Sequence, residues 1–264
     1  MSGAALSVGL IGLGAIGQAI VQLMRQHDVA EIDFVAALVR DASRRRPEGQ
    51  PPTLAAVDEL LSLEPEVVVE AGGHAALHAH GPAVLRAGCD LIVVSVGALA
   101  DAALEGELRA AAQAGCAQVR VVSGAIGSLD ALAAAALGGL TRVTHTTRKP
   151  ASVLLGPAEA THLTHAREIF RGTAREGALK FPESLNVAAA VSLAGLGFDR
   201  TEVCVVADPE IHCNHHEVVA EGTFGTFRFT IQNIPSETNA RTARLVAMSV
   251  GRALLQRRAI LIVG

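Results

Sequence analysis

Tyrosine and tryptophan are both missing from this 264-residue chain, and seven phenylalanines make up its whole Phe/Trp/Tyr complement. Without a phenol there is no tyrosine-based proton relay, so acid–base chemistry falls to histidine, lysine, cysteine or a carboxylate. Lysine is nearly absent as well, with only Lys149 and Lys180. The net charge is −4, and scarce aromatics with no basic excess argue against a nucleic-acid footprint or a base-stacking surface. Half of the residues are apolar, yet no run reaches the roughly 18 uncharged residues of a membrane span. The first residues lack the basic stretch of a secretory leader and run straight into a strand pattern. Cys89, Cys116, Cys204 and Cys213 are far apart, with no CxxC. They read as free thiols in a reducing cytoplasm.

What is present is an α/β alternation. Ser7 to Ile11 is β-compatible and ends in Gly12-Leu13-Gly14-Ala15-Ile16-Gly17, after which Ile16, Ile20, Leu23 and Met24 recur at helical spacing. A strand, a glycine turn and a helix in that order form the dinucleotide fingerprint. The first glycine makes the tight turn, the second admits the pyrophosphate, the third lets helix pack on strand, and the helix N-terminus faces the phosphates. Strands at Ile32–Val39, Glu66–Glu70, Leu91–Val96 and Gln118–Val122, separated by helical patterns, predict a Rossmann-type doubly wound parallel sheet over residues 1–123.

Ligands of such sheets lie beyond the carboxyl ends of the strands. Three glycine-containing turns fall there: Ala71-Gly72-Gly73-His74, Ser95-Val96-Gly97-Ala98-Leu99 and Ser123-Gly124-Ala125-Ile126-Gly127. The expected cofactor contacts are therefore Gly12, Gly14, Ala15, Ile16, Gly17, Gly72, Ser95, Gly97 and Ala98, with His74 a further candidate. At the end of the second strand, Asp41 is placed to read a ribose 2′-hydroxyl, while Arg40, Arg44, Arg45 and Arg46 are placed to hold a 2′-phosphate. Both NAD and NADP stay open at this point.

Beyond about Gly124 the doubly wound pattern ends. A helix at Leu129–Leu137, strands at Arg142–Thr147 and Thr201–Ala207, a helix around Asn186 and an antiparallel pair about Gly225 predict a second α/β domain with a mixed sheet over 124–238. A long amphipathic helix over 239–255 and a last strand at Ala259–Val263 are expected, with 239–264 packing back on the first domain. The chemistry of this half concentrates in His212-Cys213-Asn214-His215-His216. Strand neighbours alternate faces, so His215 and His216 do not share a metal, and no second ligand cluster exists. The expectation is a catalytic histidine and no metal site. Arg148 and Lys149 read either as a substrate-carboxylate pair or as a solvated strand end.

Taken together, Gly-Leu-Gly-Ala-Ile-Gly (12–17), Ser-Val-Gly-Ala-Leu (95–99), Ser-Gly-Ala-Ile-Gly (123–127), Thr-Arg-Lys-Pro (147–150), Asn-Val-Ala-Ala (186–189), Ala-Asp-Pro (207–209), Asn-His-His (214–216) and Glu-Gly-Thr-Phe-Gly (221–225) resemble the L-aspartate dehydrogenases. The likeness covers nearly the whole chain in order. It implies a cytoplasmic homodimer using NAD or NADP for oxidative deamination of L-aspartate to iminosuccinate, and then to oxaloacetate and ammonia, or for the reverse. It also implies a place in amino-acid metabolism and NAD biosynthesis. By position, Ala125 and Asn186 match cofactor-contacting residues and His216 the catalytic histidine. The arginine-rich segment after the second strand and a shortened stretch between Pro150 and Arg167 depart from the family pattern. The rival readings are a dihydrodipicolinate reductase-like or homoserine dehydrogenase-like enzyme, and a non-catalytic NAD(P)-sensing protein. The first would want a lysine shortly after the histidine pair, where Glu217-Val218-Val219-Ala220 stands.

Overall fold

The computed structural model describes residues 5–27, 29, 31–181, 185–234 and 244–263. The chain divides into two units, Met1–Gly124 with Val246–Gly264, and Ala125–Leu245. No helix among the described residues is long and apolar enough to cross a membrane.

In the first unit, β1 (Leu6–Ile11), α1 (Ala15–Gln26), β2 (Ile32–Leu38), the two-residue β3 (Thr53–Leu54), α2 (Val57–Leu61), β4 (Val67–Glu70), α3 (His74–Arg86), β5 (Asp90–Val93), α4 (Ala102–Gly115) and β6 (Val119–Val121) follow one another. All pairings in this sheet are parallel. Its strand order is β3-β2-β1-β4-β5-β6. The order reverses between β1 and β4, which places the ligand-binding crevice of a doubly wound sheet at their carboxyl ends. Every residue of β4 is buried, as a strand covered by helices on both faces requires. The chain beyond β5 leaves the sheet earlier than the sequence predicts, and Val96–Ala100 form a buried 3-10 turn.

The second unit contains α5 (Leu129–Leu137), β7 (Leu140–Pro150), α6 (Ala151–Leu154), α7 (Pro157–Ala160), β8 (Arg167–Thr173), α8 (Ala174–Lys180), α9 (Asn186–Ala194), β9 (Glu202–Asp208), β10 (Asn214–Gly222) and β11 (Gly225–Asn233). The sheet order is β11-β10-β7-β9-β8, with β7 parallel to β9 and every other neighbour antiparallel. The expected mixed sheet is present. Leu132 of α5 and Val187 and Val191 of α9 pack with Val143, Val218 and Ala220, so these helices cover one face.

α10 (Leu245–Leu255) belongs to the first unit, where Ala247, Val250, Ala253 and Leu254 join the core formed by Leu6, Val8, Ile20 and Met24's neighbour Val21. The beginning of the helix expected over 239–255 falls on 239–243, outside the described residues. The strand expected at Ala259–Val263 does not form. Ile260, Leu261, Ile262 and Val263 are exposed, and the run pairs with no strand among the described residues. β propensity expresses itself only against a neighbouring strand, and here the chain end is held by Arg252 and Gln256 on the Val263 carbonyl.

Candidate active site

The first unit gathers its predicted residues at the carboxyl ends of β1, β4 and β5. Gly12 has φ +92°, and a Cβ there would lie 2.5 Å from Gly72 Cα, so the turns after β1 and β4 touch. A Cβ on Gly17 would lie 2.4 Å from the Gly12 carbonyl oxygen, which is the close helix–strand approach that only glycine permits. Around Gly14 nothing lies within 4 Å of the same position. The middle glycine thus borders open space beside the N-terminus of α1, where Ala15 and Ile16 form the first turn.

Glu70, which the sequence reading leaves as an ordinary strand residue, ties these turns together. It is fully buried at the end of β4. Its carboxylate accepts from Gly72 N (2.8 Å), Gly73 N (2.9 Å), Ser95 N (3.0 Å) and Ser95 Oγ (2.9 Å). Burial pushes the Glu70 carboxyl above its ordinary value, while the donors from Ser95, Gly73 and Gly72 pull it back. Gly97 and Ala98 are buried in the 3-10 turn that starts beyond Ser95, and His74 is the first residue of α3.

Arg40 and Asp41 are exposed just past β2. Asp41 Oδ1 accepts from Ser43 N (3.0 Å) and Ser43 Oγ (2.6 Å), and these bonds hold its carboxyl below the usual carboxylate range. The donor set around the three turns is uncharged backbone N–H and small side chains, with arginines at the β2 end. It fits a dinucleotide.

In the second unit the chemistry lies on the helix-covered face of β7 and β10. Alternation along β7 puts Val143, His145, Thr147 and Lys149 on that face, and all four are buried. On β10, His216 stands opposite Thr147 and Val218 opposite His145. The two imidazoles therefore meet diagonally, with His145 Nε2 and His216 Nδ1 3.2 Å apart. Burial and the Lys149 cation hold His145 down to about 3. Burial first, then His145, Lys149 and His215, holds His216 well below its ordinary value. Both rings are therefore neutral at neutral pH. His145 Nδ1 and Thr147 Oγ1 are buried without a hydrogen-bond partner.

Arg148 and Lys149 are not a pair. They lie within β7 rather than after it, so they project to opposite faces. Arg148 is half-exposed and ion-paired to the buried Asp208 at 2.9 Å, and His215 stands opposite it. Only Lys149 shares the face of His216. Asn233, at the end of β11 opposite Asn214, donates to the Ala125 carbonyl at 2.8 Å, which brings Ala125 to the same end of the sheet. Asn186 opens α9. His145 escapes the sequence reading because its partner lies 71 residues away and only the strand register brings the two together.

Two family models divide the chain: the C-terminal domain of aspartate dehydrogenase matches residues 130–257, and the NAD-binding domain of homoserine dehydrogenase matches 12–122. The L-aspartate dehydrogenase of Pseudomonas aeruginosa is 43% identical over 94% of this chain and 96% of its own length. The chain belongs to the L-aspartate dehydrogenase family. The enzyme of that name from Polaromonas is 41% identical over 98% of this chain and 100% of its own. The crystal structure of the family's Thermotoga maritima member superposes with a TM-score of 0.79 at 26% identity, over 98% of this chain and 99% of that one. A hyperthermophilic archaeal homoserine dehydrogenase in complex with NADPH, 12% identical with a TM-score of 0.63 over 96% of this chain and 97% of its own, shares the fold. The resemblance carried by the motifs is thus borne out, and the first unit is a nicotinamide-dinucleotide-binding domain.

Proposed function

We propose that the protein is an NAD(P)-dependent L-aspartate dehydrogenase, with His216 as its general acid–base and Lys149 as the holder of a substrate carboxylate. The observation that carries this is the buried, neutral His145–His216 pair on the same strand face as Lys149, in a chain whose relatives carry that name along nearly their full length.

In the first unit, Gly12–Gly17, Gly72, Ser95, Gly97 and Ala98 would hold the dinucleotide; in the second, Ala125 and Asn186 match positions that contact cofactor in the family. Bound there, the dinucleotide would supply the hydride acceptor for oxidation of L-aspartate at C2 to iminosuccinate. The chain itself moves protons and holds charge. A neutral His216 is a base in waiting. With a proton on Nδ1 donated to His145, its Nε2 lone pair takes a proton from the substrate ammonium or from the water that adds to the imine carbon. In the reverse amination that proton is returned: His216, protonated at Nε2 with its Nδ1–H still donated to His145, is the acid. A dicarboxylate beside Lys149 would offset the cation that, after burial, depresses both imidazoles, and so raise His216 back toward its ordinary range when substrate is present.

A homodimer, implied by the family likeness, and a reducing cytoplasm, supported by four free cysteines, complete the reading. Absorbance at 340 nm with purified protein, L-aspartate and either NAD or NADP tests the reaction, with L-glutamate, L-alanine and L-homoserine as controls. Reduction with aspartate alone is expected. Silence there, and again with oxaloacetate, ammonia and reduced cofactor, would overturn the assignment.

A further inference from the structure

We propose that Arg44, Arg45 and Arg46 form a phosphomonoester site that reads the 2′-position of the adenosine ribose, so that the protein prefers NADP(H) to NAD(H). This rests on the nicotinamide-dinucleotide reading of the first unit and narrows it.

In a doubly wound sheet the adenosine ribose meets the end of the second strand, where an acid bonds a free 2′-hydroxyl. Asp41 has the position for that role, but one of its oxygens is committed to Ser43 through the backbone N–H and the hydroxyl. What stands beside the fingerprint instead is a guanidinium. Arg46 Nη1 reaches the Leu13 carbonyl at 3.5 Å, and Nη2 reaches the Asp41 carbonyl at 3.4 Å. Arg46 therefore spans from the β2 end to the glycine turn that holds the pyrophosphate. Both contacts are long, so the two Nη groups keep donor capacity unspent.

A cleft of about 450 Å³ opens at this place, lined by Gln18, Arg44, Arg45, Arg46 and Pro47. Gln18 fixes its wall to the fingerprint by donating to the Leu13 carbonyl at 2.9 Å. Three guanidiniums and no carboxylate line the cleft. Such a set rejects an unphosphorylated hydroxyl as a wasted partner and recognises a dianionic phosphate with forked, charge-assisted hydrogen bonds.

The test is ligand binding rather than turnover. Isothermal titration of the full chain with adenosine 2′,5′-bisphosphate and with adenosine 5′-monophosphate should give at least about tenfold tighter binding of the bisphosphate, one good charge-assisted contact being worth a factor of that order. Arg46→Ala should collapse the ratio toward one while 5′-monophosphate binding persists. Because Arg46 also leans on the fingerprint turn, the exposed pair Arg44→Ala/Arg45→Ala is the second measurement, and it should narrow the ratio too. Equal affinities in the unaltered protein, or a ratio unmoved by both variants, would overturn the phosphate site and leave the dinucleotide fold standing. Failure to bind either nucleotide would overturn both.

Discussion

His216 is 4% exposed and its Nδ1 is engaged by a second imidazole, so its remaining nitrogen is left for chemistry. His216→Ala should lower kcat by about 10²–10⁴-fold, the usual span for a lost general acid–base. Undiminished turnover at 340 nm would remove the role. Lys149→Ala should act differently, raising the KM for L-aspartate by about tenfold or more through the loss of one charge-assisted contact, with a smaller effect on kcat. An unchanged KM would return Lys149 to a structural role. At this scale the sequence was legible unevenly. His216 was singled out by its place in Asn-His-His. The Arg148–Lys149 ambiguity could not be resolved, because it depended on whether the strand continued past Thr147. The structure extends β7 to Pro150, and a one-residue step then sends the two cations to opposite faces. His145 carried no local signal at all.

The turn between β1 and α1 makes a contrast between two glycines measurable. Gly14→Ala meets no atom within 4 Å, so its melting temperature should match that of the unaltered protein while adenine-dinucleotide binding is lost to the methyl group. Gly17→Ala drives a Cβ to 2.4 Å from the Gly12 carbonyl and should lower the melting temperature by several degrees, an overpacking cost of about 1–3 kcal/mol. Thermal scans and calorimetric titration of both variants separate the two effects, and equal melting temperatures would contradict the assignment of roles. α5 (Leu129–Leu137) was readable from its run of alanines, the strongest helix formers. β8 was not, because Arg-Glu-Ile-Phe-Arg-Gly-Thr is an edge strand whose charged residues break the alternation. The apolar run at 259–263 misled in the other direction: it has strand composition but no strand beside it.

For the molecule as a whole, the buried imidazoles set the response to acid. His145 titrates at about 3 and His216 well below 6.5 in the folded state, against about 6.5 when unfolded. The unfolded chain therefore binds more protons, and this contribution to stability is complete above about pH 6.5 and is lost as pH falls toward 3. Glu70, raised by burial, opposes the trend, since its penalty shrinks as it protonates. His145, held down to about 3, loses stability across this whole interval, so the urea midpoint should fall from pH 7.5 to pH 5. The variant His145→Gln/His216→Asn should show a shallower fall. Circular dichroism is the probe, since the chain has no tryptophan. A midpoint independent of pH over this range would mean that the two rings are not held neutral in the fold.

The return of α10 to the first unit has a consequence for the order in which the protein is made. Ala247, Val250, Ala253 and Leu254 fill part of the core beneath β1 and α1, yet they are translated after all of Ala125–Leu245. On the ribosome the second unit emerges whole while the first still exposes the apolar surface that α10 will cover. The usual amino-to-carboxyl sequence of domain completion is inverted here, and the half-built dinucleotide domain is the nascent species that a holding chaperone would meet.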